Sequence, residues 1–231
     1  VIFTPAITAC RRVGAWRHVL RLLAGMRESG LTPNEKHYGV SITACARAGA
    51  WEQALSILGD MPKHRCKRNP VTYSAAISAC EKCSQWTRAL DLLTCMARAK
   101  VEIDTIAYTA AIRGCEKCGK WIQALALVGA MTRVGVRIDT MAYSTTISAC
   151  GKGGEWLKSL ELLSDMTFNS VEIDTIAYSA AISACEKSGE WAKALELLGG
   201  IVGSRIEMDT ITYNAVISAC EKGGAWVGAL E

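Results

Sequence analysis

The sequence predicts an all-α protein, an α-solenoid superhelix of stacked antiparallel helical hairpins with about 6.6 repeats of 35 residues. Two observations predict this fold class. Tryptophan recurs at a constant spacing of 35 residues, at positions 16, 51, 86, 121, 156, 191 and 226. Each unit also carries two stretches in which apolar residues recur every three to four positions, as in amphipathic helices. Because 50% of the residues are hydrophobic and 21% are charged, a disordered or low-complexity chain is excluded.

The stretch that begins at Asp174 shows how one hairpin is built. Asp174 is placed to cap the first helix, and Gly189 suits the left-handed residue that ends a helix. The small and apolar residues between them predict a first helix over about 175–187, and the next stripe predicts a second helix over about 191–202. Helices of about 12 residues are only some 18 Å long and cannot shield their apolar faces alone. The hairpins must therefore stack on one another.

The same pattern predicts a single repeat array over residues 1–231. Because the sequence begins inside one repeat and ends inside another, we expect an array truncated at both ends. Two further rows of residues are expected in the core: cysteines as reduced thiols rather than disulfides, and methionines as packing residues. The units are 1–34, 35–69, 70–104, 105–139, 140–174, 175–209 and 210–231. The core rows are Cys10, Cys45, Cys80, Cys115, Cys150, Cys185 and Cys220, and Met26, Met61, Met96, Met131 and Met166 with Ile201.

Composition narrows the class of partner only in part. No apolar run approaches the roughly 18–20 residues that span a bilayer, and the first residues lack the pattern of a signal peptide, so no membrane partner is expected. The net charge of +4 is uneven, with 11 basic and 4 acidic residues in 1–70 but 15 basic and 18 acidic residues in 71–231. Bulk electrostatics therefore identifies no partner, and the position of each charge within the repeat matters more.

Each unit combines an early tyrosine, a small-Ile-Ser-Ala-Cys-Glu-Lys stretch, a glycine turn and an Ala-Leu-x-Leu-Leu-x-x-Met second helix. Over the whole chain this unit resembles the pentatricopeptide repeat family in its P-type, 35-residue form. The tetratricopeptide family differs in period and motif. Two departures are Ile-Asp or Met-Asp where Pro-Asp often closes a repeat, and tryptophan at a position usually given to smaller residues. The resemblance implies a helical array that binds single-stranded RNA along the concave surface of its first helices, about one base per repeat, in a mitochondrion or plastid.

The resemblance also implies which residues read the bases. The residue after the tyrosine acts with the last residue before the next repeat, and Asn214 has no second residue within the sequence. A hydroxyl with Asp favours G, a hydroxyl with Asn favours A, and Asn in the first position favours a pyrimidine. The expected target is 5′-A-N-G-G-G-G-Y-3′, in which N reflects the missing side chain of Gly39. The pairs are Thr4 with Asn34, Gly39 with Asn69, Ser74 with Asp104, Thr109 with Asp139, Ser144 with Asp174, and Ser179 with Asp209. The alternative is that the four aspartates only cap helices.

Two more rows are candidates for RNA contact. By resemblance, the residues two positions before the tyrosines clamp a base, although Lys36 interrupts their row and ordinary packing between first helices is the alternative. These residues are Val71, Ile106, Met141, Ile176 and Ile211. A basic residue just before each turn is placed to follow the phosphates, and the alternative is a favourable interaction with the helix dipole. This second row is Arg12, Arg47, Lys82, Lys117, Lys152, Lys187 and Lys222, with a glutamate directly before four of its members.

No catalytic chemistry is evident. Two CxxC pairs, 80–83 and 115–118, could in principle form a zinc site, but the second cysteine of each stands where other repeats have only a small residue. The histidines occupy unrelated repeat positions, so we expect no enzyme activity and no cofactor, and any catalytic domain would lie beyond Glu231. The function indicated is sequence-selective RNA binding in organellar RNA processing, stability, editing or translation. Protein partners or an effector domain could add to it, and the alternative is a protein-binding α-solenoid scaffold.

Overall fold

The computed structural model describes residues 5–7, 9, 15–203 and 210–224, and all regular structure in this part of the chain is helical. The α-helices are 10 to 14 residues long, and none that the structure describes combines the length and apolar character needed to cross a membrane. A 3₁₀ turn, Pro62–His64, follows α3. The helices are α1 (Trp16–Glu28), α2 (Glu35–Ala48), α3 (Trp51–Asp60), α4 (Pro70–Lys82), α5 (Trp86–Arg98), α6 (Thr105–Lys117), α7 (Trp121–Val134), α8 (Thr140–Lys152), α9 (Trp156–Phe168), α10 (Thr175–Ser188), α11 (Trp191–Gly203) and α12 (Thr210–Lys222).

Where both ends are described, the first helix of a hairpin begins at a side-chain cap and is followed by a left-handed residue. Asp174 lies in extended backbone and accepts a hydrogen bond from the backbone N–H of Ala177, and Gly189 ends α10 with φ 73°. Asn34, Asn69 and Asp139 cap α2, α4 and α8 in the same way. The sequence prediction for the repeat is thus confirmed, with each helix of the α10–α11 hairpin one residue longer at its C-terminal end than expected.

The helices form two compact units, residues 1–114 and 115–231, with the boundary inside α6. In the first unit α2 packs on α4, while α1 contacts α2, α3 contacts α2 and α4, and α5 contacts α4. In the second unit α8 packs on α10 and α10 on α12, with α7, α9 and α11 each packed against the neighbouring first helices. Each unit therefore stacks first helix on first helix, which confirms the predicted α-solenoid.

The predicted core rows are buried in the part of the chain that the structure describes. The five methionines and Ile201 are at most 4% exposed, and the six described cysteines of the repeated row are free thiols with no exposed surface. In the second unit, Cys150 and Met166 pack with Tyr143 and Ile147 in one hydrophobic cluster. Cys10, the seventh member of the row, lies outside the described residues. The core thus recurs once per repeat instead of forming one central mass.

The described second helices also end on a left-handed residue, and glycine is not always present there, just as Ser84 with φ 57° follows the first helix α4. Gly30 and Gly135 have φ of 72° and 74°, while Arg65, Lys100 and Ser170 at the same repeat position have φ of 52–57°. Residues with a Cβ are strained in this conformation by about 1–2 kcal/mol. The turn geometry is therefore set by the stacking of the hairpins, and three repeats adopt it without the residue that suits it best.

A reciprocal exchange at this position tests that strain. Gly135→Ser should lower the free energy of unfolding by about 1 kcal/mol, because a Cβ at Gly135 meets no neighbour but still requires φ of 74°. Ser170→Gly should raise it by a similar amount, since Ser170 is exposed at the equivalent turn. Urea denaturation of both variants measures the change, and a shift of the same sign in both would contradict the explanation.

Candidate nucleic-acid interface

A groove with a volume of about 490 Å³ runs along the first helices of the second unit. It brings together residues that the sequence placed in three separate rows: the reading residue Ser179, the clamping residues Ile176 and Ile211, and the cations Lys152 and Lys187. Its polar lining is made of hydroxyls and ammonium groups, and its apolar lining is exposed to solvent. The other lining residues are Ser148, Gly151, Thr175, Ala180 and Ser183.

In two of the predicted reading pairs, a hydrogen bond joins the serine of one first helix to the aspartate that caps the next first helix. Ser144 Oγ donates to Asp174 Oδ1 at 2.8 Å, and Ser74 Oγ lies 3.3 Å from Asp104 Oδ1. Ser144 Oγ is also 2.7 Å from the carbonyl oxygen of Thr140, so its single proton is shared between two acceptors or alternates between them. The structure therefore places each pair at one point, although the partners are 30 residues apart in sequence.

The same carboxylates cap helices. Oδ1 of Asp104, Asp139 and Asp174 accepts a hydrogen bond of 2.8 Å from the backbone N–H three residues later. In the described part of the chain, both hydrogen bonds of Asp174 end on Oδ1, which leaves Oδ2 for another donor. Capping and base reading are therefore compatible in one carboxylate, because the cap uses one oxygen and orients the other.

The other predicted reading residues differ in their surroundings. Thr109 is 9% exposed, and within the described residues its Oγ1 has no hydrogen-bond partner. Ser179 Oγ lies 2.7 Å from Thr212 Oγ1, and Asn214 is exposed on α12.

Gly39 leaves room for a side chain, since the nearest atom to a Cβ there would be Thr72 Cγ2 at 3.8 Å. Asn34 and Asn69 cap α2 and α4, whereas Thr4 and Asp209 lie outside the described residues.

The predicted clamping residues lie on the surface. Val71, Ile106, Ile176 and Ile211 are 57–70% exposed, and Met141 is 40% exposed. Packing between adjacent first helices would have buried these side chains, so packing does not account for their apolar character. Single exposed apolar residues are common, but these recur at one repeat position in α4, α6, α8, α10 and α12, and two of them line the groove. An apolar surface at this place suits contact with the face of a base.

The glutamates of the turn region do not pair with the lysines beside them in sequence. Lys152 forms an ion pair with Glu116 of the preceding repeat, and Ser148 Oγ donates to the same Oε1 at 3.0 Å. Two repeats further along the chain, Glu186 Oε1 accepts hydrogen bonds from Lys222 Nζ at 2.9 Å and from Ser218 Oγ at 2.8 Å. Burial acts to raise the pKa of Glu186, but these hydrogen bonds and the lysine charges outweigh it and hold that pKa below its ordinary value.

Lys187 differs from these two lysines because Gly151 occupies the position of the glutamate in the preceding repeat. Lys187 Nζ instead donates to the carbonyl oxygen of Gly151 at 3.2 Å, and it forms no ion pair with a carboxylate that the structure describes. A Cβ at Gly151 would lie 2.9 Å from the carbonyl oxygen of Ala180, so α8 and α10 approach too closely for a larger residue. The row of cations is therefore electrostatically uneven within the second unit.

The first unit contains a similar case. The repeat before Lys82 has Ala46 where Glu116 and Glu186 stand in their repeats, and Lys82 is exposed without an ion pair among residues 15–203 and 210–224. Arg47 is also exposed, and Arg12 lies outside the described residues. Lys117 has an interaction partner within the protein. Uncompensated positive charge is thus found at some repeats and not at others.

Ser148, Ser183 and Ser218 were not assigned a role by sequence reasoning. Ser148 and Ser183 follow the buried Ile147 and Ile182 in α8 and α10, and Ser218 follows the exposed Ile217 in α12. The three serines either line the groove or hold the inter-repeat glutamates. Their signal was present in the repeated Ile-Ser step of the motif. The motif shows a recurrent small polar residue, but it does not show that the partner of Ser148 or Ser218 is a glutamate of the preceding repeat.

The structure gives the surroundings of the two CxxC pairs. Among the residues described, no three His, Cys, Asp or Glu side chains lie together as metal ligands. Burial, with a smaller effect of the second cysteine in each pair, raises the pKa of Cys80 and Cys115 to about 11, so both are protonated thiols at neutral pH. Cys83 Sγ is 2.9 Å from the carbonyl oxygen of Gly49 and donates to it as a thiol.

Comparisons with known proteins agree on one family. Sequence profiles described as "Pentatricopeptide repeat-containing protein", "Pentatricopeptide repeat domain" and "PPR repeat" match residues 23–131, 161–222 and 141–171. A comparison with curated protein sequences found no match.

Solved structures of pentatricopeptide repeat proteins have the same fold. The crystal structure of PPR10 in complex with an 18-nt psaJ RNA element matches with a TM-score of 0.79 and 22% identity, over 100% of this chain and 34% of that one. The crystal structure of PPR10 from maize matches with a TM-score of 0.67 and 16% identity, over 99% of this chain and 37% of that one. The PPR domain of Arabidopsis thaliana protein-only RNase P 1 in complex with tRNA matches with a TM-score of 0.57 and 16% identity, over 94% of this chain and 96% of that one. The chain spans about a third of the length of the PPR10 chains, and at these identities the likeness shows the fold alone.

Thiol accessibility provides a test of the packed repeats. At pH 8 the exposed Cys95 should react rapidly with a disulfide reagent such as Ellman's reagent, and Cys95→Ser should remove this fast phase. Burial raises the pKa of Cys45, Cys80, Cys115, Cys150 and Cys185 to about 11, so these thiols should react only on unfolding. Labelling followed by peptide mass spectrometry identifies each site. Rapid native labelling of the five would contradict a closed core.

Proposed function

Because this chain belongs to the pentatricopeptide repeat family, we propose that it binds single-stranded RNA along its first helices and reads about one base per repeat. The groove of the second unit is the observation that carries the proposal, since it joins a hydroxyl for base reading, apolar side chains and cations. The RNA-bound states of PPR10 and of the protein-only RNase P 1 domain support the same ligand class.

Three kinds of contact would act together on each nucleotide. Asp Oδ2 accepts a hydrogen bond from the base edge, while Oδ1 remains held by the helix cap and by the hydroxyl of the preceding first helix. Exposed Ile or Val side chains on either side cover the faces of the base, a contact of about 1–3 kcal/mol per base that does not depend on base identity. Lysines at the C-terminal ends of the first helices neutralise phosphates.

The Ser–Asp and Thr–Asp pairs make guanine the favoured base at four successive positions of the proposed target, 5′-A-N-G-G-G-G-Y-3′. A carboxylate only accepts hydrogen bonds, so it suits the ring N–H and exocyclic amine of guanine. We also propose that the RNA belongs to a mitochondrion or plastid and that binding serves its processing, stability, editing or translation. Effector domains or protein partners would supply any chemistry on the RNA.

A protein-binding scaffold is the second candidate function. Helical solenoids also present long surfaces to peptides. Two observations favour an anionic ligand with hydrogen-bonding edges. The helix-capping aspartates are joined to hydroxyls, and Lys82 and Lys187 have no carboxylate partner among the described residues. RNA therefore remains the first proposal.

Base reading predicts a change of specificity without a change of fold. The protein should prefer 5′-AUGGGGU-3′ over 5′-AUAAAAU-3′, and Asp139→Asn with Asp174→Asn should shift the preference toward A at the two matching positions. Asn caps a helix about as well as Asp, so the melting temperature should stay close to that of the native protein. Fluorescence anisotropy in lithium buffer, which suppresses quadruplexes, measures both affinities.

The outcomes separate the alternatives. A salt slope of up to about −5 for log K against log salt would fit seven phosphate contacts at roughly −0.7 each. Salt-sensitive binding without base preference would mean that the aspartates only cap helices. Failure to bind either RNA at low salt would favour the protein-binding scaffold.

The uneven row of cations predicts unequal phosphate contacts. Lys187→Gln should weaken binding and reduce the size of the salt slope by about 0.7, because this ammonium is not neutralised by a described carboxylate. The matched double variant Glu116→Gln with Lys152→Gln removes one charge of each sign from an ion pair and should leave the slope nearly unchanged. Equal slopes in the two variants would show that the pair does not withhold Lys152 from RNA.

A further inference from the structure

The repeat at residues 35–69 carries two exposed lysines, Lys36 and Lys67, near the start of α2. Lys36 stands where the other described repeats have the exposed apolar residues Val71, Ile106, Met141, Ile176 and Ile211. Lys67 lies in the loop between α3 and α4, where the other described loops have Thr32, Glu102, Arg137 and Glu172. Lys36 therefore replaces an apolar surface by a cation, and Lys67 adds a second cation at a position whose charge varies between repeats.

These two lysines belong to neighbouring backbone segments. Cys66 Sγ lies 3.3 Å from the carbonyl oxygen of Pro33, which ties the loop to the start of α2. In the second unit, the residues equivalent to Glu35 and Lys67 are in contact, since Thr140 Oγ1 donates to the carbonyl oxygen of Glu172 at 3.1 Å. Lys67 therefore lies beside the first turn of α2, which carries Lys36.

Three other side chains of this region have contacts of their own, and Arg65 is a further exposed cation in the same loop. Lys63 pairs with Asp60 at 2.9 Å, and Arg68 Nε donates to the carbonyl oxygen of Leu58 at 2.9 Å near the end of α3. His64 stacks against Tyr38 with ring centroids 6.4 Å apart. Lys36 and Lys67 are exposed, and in the described part of the chain neither side chain forms a hydrogen bond or ion pair. Glu35 on the same turn offsets only one of the two charges.

Lys36 occupies a repeat position that lines the groove in the second unit. Lys36 and Gly39 are three residues apart on α2, and their equivalents on α10, Ile176 and Ser179, both line the groove. Gly39 has no side chain to read a base. The repeat has therefore lost the apolar contact and the reading hydroxyl, and it carries the exposed cations Lys36 and Lys67 on neighbouring backbone segments.

We propose that this repeat binds the sugar-phosphate backbone beside the second nucleotide through Lys36 and Lys67, in place of reading its base. The proposal rests on the proposed RNA-binding function. The ligand is the phosphodiester of single-stranded RNA, and the contact is indifferent to the base at position N of the target. It anchors the RNA between the base-reading contacts expected on either side.

A charge-matched pair of variants tests the proposal. Lys36→Gln with Lys67→Gln should reduce the size of the salt slope by about 1.4, for two phosphate contacts at roughly 0.7 each, and should weaken binding equally for all four bases at position N. Arg21→Gln with Arg98→Gln removes the same charge from exposed positions on α1 and α5 and should leave the slope close to the native value. Circular dichroism of both variants checks that the helices are intact.

Neutral methylphosphonate linkages on both sides of the second nucleotide supply an independent readout. They should weaken binding to the native protein and to the arginine control, but not to the lysine variant, which has already lost those contacts. Native binding with base preference, but with the same methylphosphonate effect in both variants, would overturn this proposal and leave the proposed function intact. Absence of native binding to any RNA would instead overturn the proposed function.

Discussion

The structure depends on the inability of a short helical hairpin to bury its own apolar face. Each described helix has 10 to 14 residues, too few to be stable alone in water, so within each unit first helices pack on one another. Close approach is required for this stacking, as at Gly151, where a Cβ would lie 2.9 Å from the carbonyl oxygen of Ala180. Stacking at a constant 35-residue step also places equivalent residues of successive repeats side by side within each unit. A row of side chains is therefore a consequence of the packing and needs no further organising element.

The helix caps connect this packing to the candidate interface. Asp174 lies at the start of α10, where its Oδ1 accepts a hydrogen bond from the backbone N–H of Ala177, and the stacking of α8 on α10 brings Ser144 to the same oxygen. Two interactions that stabilise the fold thus orient a carboxylate whose second oxygen is available to a ligand. The residue that begins a helix and the residue that would contact RNA are one residue because the N-terminal ends of successive first helices lie next to one another in the stack.

Much of this arrangement could be predicted because it is local or periodic. The caps at Asp139 and Asp174, the left-handed glycines and the buried methionines and cysteines all follow from positions within one unit. The pairing of Ser144 with Asp174 came from family resemblance, not from the spacing of the residues. Three features were missed. Glutamates pair with lysines 36 residues further on, left-handed turns occur at Arg65, Lys100 and Ser170, and Ser148 and Ser183 line the groove. Each depends on a neighbouring repeat or on strain accepted by the stack, which no pattern within a single repeat encodes.

Near-identical repeats become different from one another through their neighbours. Lys152, Lys187 and Lys222 occupy one repeat position, yet Lys187 alone of these three follows a repeat with glycine in place of glutamate. A substitution in one repeat therefore changes the charge available in the next, without altering the residue that would contact the phosphate. The same logic applies to Lys67, whose loop position lies against the helix that carries Lys36. Selectivity in such an array is a property of adjacent pairs of repeats, because every contact surface is built from two of them.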